Sequence, residues 1–181
     1  VAVLGCGGVG LSTINGAAIA GASRIIAVDL SDEKLAMAKK FGATDFVNPK
    51  NGDPVAQVKE LTNGGVHYAF ECVGLKLTAE QGYMMMRPRG VMTVIGMIPP
   101  GVNTWEINAE LLVTEKRLQG AVMGSNRFRI DFPRLVTLYQ QGKLHLDDLV
   151  SDRIGLDGLT GALQNLKDNK GSVARQVVMF D

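Results

Sequence analysis

The chain has 181 residues, 46% of them hydrophobic and 20% charged, and carries a formal net charge of +1. A length of that order suits one folded domain with an appendage. The near-neutral balance, with no basic block, argues against nucleic-acid or membrane-surface binding. No run is long and apolar enough to span a bilayer, and none reads as a signal peptide. The two cysteines, Cys6 and Cys72, make no disulfide framework. His67 and His145 lie far from each other and from any Cys-x-x-Cys, so no zinc site is legible. Such cysteine usage suits a cytosolic, cytoplasmic compartment.

Residues 1–29, VAVLGCGGVGLSTINGAAIAGASRIIAVD, organise the rest. Four apolar residues read as a buried strand, and Gly5, Gly7 and Gly10 give the spacing G-x-G-x-x-G. A helical run opening near Val9 reaches Gly21, and a second apolar strand over 24–28 ends in Asp29, 19 residues past Gly10. Strand, glycine loop, helix, strand and acid in that order form the context that a dinucleotide fingerprint requires. Gly5 allows the tight turn, Gly7 a close approach of backbone to a pyrophosphate, and Gly10 close packing of helix on strand. The helix N-terminus offers free amides and a dipole of ~0.3–1 kcal/mol at an exposed site, so several donors must act together.

Asp29 is placed to accept from the adenosine ribose hydroxyls. A 2′-phosphate ~4 Å from that carboxylate costs on the order of 4 kcal/mol per charge pair at an effective dielectric of ~20. Leu30, Ser31 and Asp32 supply no arginine to compensate. NAD is therefore expected over NADP. The first strand has only four residues before the loop and no methionine starts the chain. A piece of a longer polypeptide is expected.

Beyond Asp29, a helix over 31–44 is capped by Ser31 or Asp32 and stopped by Gly42. From spacing alone, Lys34 in its first turn could reach back to the ribose or solvate freely, with the solvated reading favoured. A short strand at 45–47, a turn cluster at 48–53 and a proline-opened helix at 54–62 follow. The strand 67–72, HYAFEC, puts Cys72 and Val73 at its carboxyl end, where open α/β sheets bind ligands, and His67 at the far end as a surface residue. Glu71 is open to a structural or a functional role. A helix over 77–86 ends in three methionines that read as core filling. Then come a turn at 87–90, a strand at 91–95, Gly96 in a close-approach position, and a loop at 98–102. A short helix at 108–114 and a sixth strand at 118–123 complete the alternation.

The pattern predicts an α/β protein, a Rossmann-type doubly wound six-stranded parallel sheet, over residues 1–123. In the remainder, 124–181, helices at 132–141 and 156–167 and a strand at 175–180 have no obvious place in that sheet.

GCGGVGL, IIAVDLSDEKLAMAKKFGATDFVN, FECVG, VIGM and KGSVARQVVMF together resemble the zinc-type alcohol dehydrogenases of the medium-chain dehydrogenase/reductase family, along the entire chain. The resemblance implies a pyrophosphate held by Gly5, Cys6, Gly7, Gly8, Val9 and Gly10. It places the adenosine ribose at Asp29 and Leu30 with Lys34 beside it, and Cys72 and Val73 on the adenosine side. Ile95, Gly96 and Met97, with Val122 and Met123, would line the nicotinamide, and Arg175 would pair with the pyrophosphate. Two features depart from the family pattern: Cys6 stands between the first two glycines, and the segment 97–98 is one residue longer than the commonest form. A thiol at a helix tip can have a lowered pKa.

The resemblance further implies that the catalytic zinc and the alcohol or aldehyde pocket belong to an N-terminal domain absent here. The segment 124–181 would return to that domain. The intact enzyme would be a homo-dimer or homo-tetramer paired through the sheet edge at 98–118. A zinc-free quinone or enoyl reductase of the same superfamily, and a stand-alone NAD-binding module, are the other readings.

Overall fold

The computed structural model describes residues 1–102, 104–168 and 174–180. Six strands form one parallel sheet: β1 (Ala2–Leu4), β2 (Ile26–Val28), β3 (Asp45–Val47), β4 (Val66–Glu71), β5 (Met86–Val94) and β6 (Arg117–Gly120). Their spatial order is β3-β2-β1-β4-β5-β6, so the direction of winding reverses between β1 and β4. Ligands bind outside the carboxyl ends of the strands at such a reversal.

Helices α1 (Gly8–Ile19), α2 (Asp32–Lys40), α3 (Pro54–Thr62) and α4 (Lys76–Met85) make the crossovers. Alternation along the strands sends side chains to two cores. Leu4, Val28 and Met92 pack with Val58, Tyr83 and Met85 on the α3 and α4 side. Val3 and Ala27 pack with Leu11, Ile14, Leu35 and Phe41 on the α1 and α2 side. Each such large side chain contributes about 1.5–3 kcal/mol on burial, which is why three-residue strands suffice at the sheet centre. Of the three methionines, Met85 and Met86 are buried, as core filling requires.

Several expected boundaries are corrected. The turn at 87–90 lies inside β5: Met86 already pairs with Val66, the ladder resumes with Val91 opposite Tyr68, and the intervening residues bulge with Arg89 at φ 64°. The sixth strand ends at Gly120 rather than 123. Helix α5 (Phe128–Gln140) starts before the expected 132, and Asp131 Oδ2 in its first turn accepts from the Arg127 amide at 2.7 Å while no side chain caps the first helical amides. The expected helix over 156–167 opens as a 3-10 turn and becomes α6 (Leu159–Lys167).

The carboxyl-terminal strand is β8 (Arg175–Val178), ending before the expected 180. It pairs in parallel with β7 (Val150–Ile154), a strand not expected from the sequence, in a separate two-stranded sheet. The KGSV of the closing motif falls on 170–173, outside the described residues. Asn15 of α1, almost fully buried, ties this part of the chain to the first. Its Nδ2 donates to the Lys143 carbonyl at 3.1 Å and its Oδ1 accepts from the His145 amide at 3.0 Å. No helix among the described residues is long and apolar enough to cross a membrane.

Candidate functional site

The glycine loop leaves β1 at Gly5, whose φ of +91° is accessible at little cost only without a side chain. Gly10 faces back onto it: a Cβ there would collide with the Gly5 carbonyl oxygen. This close approach seats α1 against the end of β1. Gly7, the N-cap of α1, is extended at φ −75° and ψ −171°, no side chain caps the helix, and nothing lies within 4 Å of where a Cβ would stand. The first-turn amides have no carbonyl partner within the helix.

Asp29, at the end of β2, closes the loop from the other side. Its Oδ2 accepts from the Cys6 amide at 2.8 Å and its Oδ1 from the Ser31 amide at 2.9 Å. A carboxylate has about four acceptor positions, so each oxygen retains a lone pair for a further donor. Ser31 also caps α2, its Oγ accepting from the Lys34 amide at 3.4 Å. Lys34 is buried, not solvated, which corrects the reading from spacing. Leu30 next to Asp29 is exposed.

Arg175 comes to the same place from the start of β8. Its guanidinium lies where a Cβ on Gly8 would be, with Nη1 donating to the Ala174 carbonyl at 3.0 Å. Ala174 itself is buried in the α1 and α2 core, and its amide donates to Ser151 Oγ at 2.8 Å. A residue remote in sequence thus puts a positive charge at the tip of the glycine loop.

On the β4 side, Val73 is half-exposed with a methyl 2.6 Å from where a Cβ on Gly5 would stand. Cys72 lies deeper, its Sγ 3.6 Å from Thr13 Oγ1 on α1. Gly96 at the end of β5 packs on Gly74. Met97 beyond it is 90% exposed, and Val122 and Met123 beyond β6 are 82% and 83% exposed. These three stand at the carboxyl edge of the sheet but are not packed against the glycine loop. Ile95 turns elsewhere: its side chain lines a groove of about 1120 Å³ with Thr13, Ala17, Tyr68 and Phe70, on the sheet face that α1 covers only in part. That groove is not the crevice where the loop amides, Asp29 and Arg175 converge.

The sequence of residues 8–141 matches the family model described as zinc-binding dehydrogenase. The chain belongs to this family. It is 35% identical over 180 residues to geraniol dehydrogenase of Carpoglyphus lactis, covering 99% of this chain and 47% of that protein. It is 38% identical over 172 residues to a probable S-(hydroxymethyl)glutathione dehydrogenase 1 of Schizosaccharomyces pombe, covering 94% and 45%. Among solved structures, benzyl alcohol dehydrogenase from Acinetobacter calcoaceticus superposes with a TM-score of 0.92 at 36% identity, over 99% of this chain and 49% of that one. A zinc-binding dehydrogenase from Sinorhizobium meliloti bound to NADP superposes with a TM-score of 0.82 at 28% identity, over 99% and 52%. The chain thus spans about half the length of the relatives it matches.

For a member of a zinc-binding family, the donor set here is notable for what it does not assemble. Among the described residues, no three of His, Cys, Asp and Glu converge as metal ligands. The described residues do not fit a zinc site. Nor is Cys6 an activated thiol, despite its place at a helix tip: burial and the neighbouring Asp29 push its pKa up. Burial likewise pushes Cys72 up to about 12, although the hydrogen bond from Thr13 lowers it in part. Two residues of consequence escape a reading by motif. Asn15 sits in the helical run without a distinguishing neighbour, and Glu71 carries no spacing signal beyond its place at the end of an apolar strand.

Proposed function

We propose that this chain is the NAD(H)-binding portion of a zinc-type alcohol dehydrogenase that transfers hydride between an alcohol or aldehyde and NAD. The observation that carries this reading is the Asp29 carboxylate, hydrogen-bonded to the Cys6 amide of the glycine loop. It stands beside a helix N-terminus that no side chain caps. Amides of Gly7, Gly8, Val9 and Gly10 hold the diphosphate, and Arg175 offsets its charge. Asp29 accepts from the ribose hydroxyls with the lone pairs left by Cys6 and Ser31. Each hydrogen bond to the carboxylate contributes about 1.5–3 kcal/mol. Leu30 and Lys34 flank the sugar, and Cys72 and Val73 wall the adenosine side. Gly96, Met97, Val122 and Met123, with the backbone at Ile95, border the nicotinamide.

When bound, the nicotinamide supplies the hydride acceptor or donor. This chain's part is to fix the dinucleotide and to exclude a 2′-phosphate by the charge of Asp29, with Asp32 one turn on. The zinc, the proton-transfer groups and most of the alcohol pocket are assigned to the portion of the protein outside this chain. The division at 123, with 124–181 returning to that portion, belongs to the same proposal. So does assembly of the intact enzyme as a homo-dimer or homo-tetramer through the edge at 98–118.

Calorimetric titration with NADH and NADPH, together with an alcohol-oxidation assay on the metal-stripped chain, tests this. Heat with NADH, a weaker response to NADPH and no turnover are expected. A well-folded sample that gives no heat with NADH, or prefers NADPH, or oxidises alcohols alone, overturns the reading.

A further inference from the structure

Glu71 is fully buried, and no role yet described uses it. It stands at the last position of β4, where two loops of the crevice begin to part. Its carbonyl oxygen accepts from the amides of Ile95 at 2.8 Å and Gly96 at 3.0 Å, fixing the end of β5. Its carboxylate Oε1 accepts from the amides of Val73 and Gly74, both at 2.8 Å, and from Thr78 Oγ1 at 2.7 Å, fixing the loop from β4 into α4. The other oxygen, Oε2, is buried without a hydrogen-bond partner. It abuts Gly96: a Cβ there would stand 2.6 Å from Oε2 and would collide with the Gly74 amide. One residue thus gathers five donors, four from two loops and one from the first turn of α4.

A buried carboxylate is a costly way to stabilise a fold. Apolar residues of similar volume commonly serve as well or better. Its use here points to geometry. The adenosine ribose, on the reading above, is gripped at the end of β2 with Cys72 and Val73 walling the adenosine side, so the dinucleotide runs past the end of β4 to the ends of β5 and β6. Glu71 joins the loops at the ends of β4 and β5. We infer that Glu71 is a positioning residue for the cofactor, holding the 73–74 segment, which walls the adenosine side, and the 95–97 segment, which borders the nicotinamide, at the separation a whole dinucleotide needs. This rests on the assignment of the crevice to a dinucleotide.

The test compares NADH with 5′-AMP, which reports the adenosine half alone. Both are titrated calorimetrically into the wild-type chain, Glu71→Gln, Glu71→Leu and Gly96→Ala. Glu71→Leu removes the acceptor of three hydrogen bonds, and Gly96→Ala crowds the Gly74 amide and Oε2, forcing the same two loops apart while the carboxylate and its three Oε1 donors remain. In both, the NADH dissociation constant is expected to rise about tenfold or more, a loss of about 1.4 kcal/mol, while that of AMP, which meets only the 73–74 side, rises by no more than about threefold. Glu71→Gln keeps an oxygen for the three Oε1 donors and is expected to remain within about threefold of wild type for NADH. A generally loosened fold would weaken both ligands alike, so parallel losses overturn the inference. Unchanged NADH affinity in Gly96→Ala overturns it too, even if Glu71→Leu does not fold. Wild-type chain that binds neither ligand overturns the dinucleotide assignment itself.

Discussion

Asp29 works in two directions. Inward, it ties the Cys6 amide to the end of β2, and outward, it presents the lone pairs proposed to meet the ribose. Asp29→Ala is therefore expected to weaken NADH binding about tenfold to a hundredfold, the equivalent of one charged hydrogen bond. It is also expected to narrow the gap to NADPH, both read by calorimetry. Partial or full burial holds both thiols in the neutral form, with pKa values raised above the ordinary one, and this has a pH signature. The ordinary thiol value is 9.0, and Cys72 in the fold is held up to about 12, so between those limits the unfolded chain binds fewer protons than the native one. Stability contributed by the neutral thiol is complete below pH 9 and declines as the pH rises towards 12. Urea melts at pH 8, 9.5 and 10.5 are expected to show a falling midpoint, and Cys72→Ala to flatten that dependence.

Among the elements, α1 carries three duties: its tip faces the crevice, its inner face fills a core, and Asn15 on its flank holds the chain at 143–145. Asn15 satisfies both its amide groups on that backbone while almost fully buried. Asn15→Ala leaves a carbonyl and an amide without partners, at a cost of about 1–3 kcal/mol. Faster hydrogen exchange at the His145 amide and a lower melting temperature are the expected readouts. The β7–β8 pair acts through its first residues: Ala174 is anchored in the core, and Arg175 beside it reaches Gly8. A two-stranded sheet outside the main one thus contributes to the site.

For the whole molecule, the share of its relatives that it spans matches what it leaves uncovered. Helix α5 has no buried residue, with Phe128, Phe132 and Val136 among its exposed apolar side chains. Leu159, Leu163 and Leu166 of α6 are exposed as well, and Tyr68 is 52% exposed at the open groove. Exposed apolar side chains in such number favour association unless a partner covers them. Light scattering on the chain is expected to show concentration-dependent association, and co-expression with the portion proposed to lie outside it to suppress that association.

The six-stranded sheet and the glycine loop could be read from the residues because their causes are local in sequence. Buried parallel strands are short apolar runs between turn signals, and the G-x-G-x-x-G spacing follows from backbone contact between residues 5 and 10. The expected order of alternation led to the observed topology for the same reason. β7 was not legible, since VSDRI is largely exposed and polar and takes its strand form from pairing with β8. The burial of Lys34, the anchoring of residues 143 and 145 by Asn15, and the joining of two loops by Glu71 depend on neighbours far away along the chain. A single sequence specifies which residues can hydrogen-bond, but which donors reach a buried acceptor is settled only when strands distant in sequence are packed side by side.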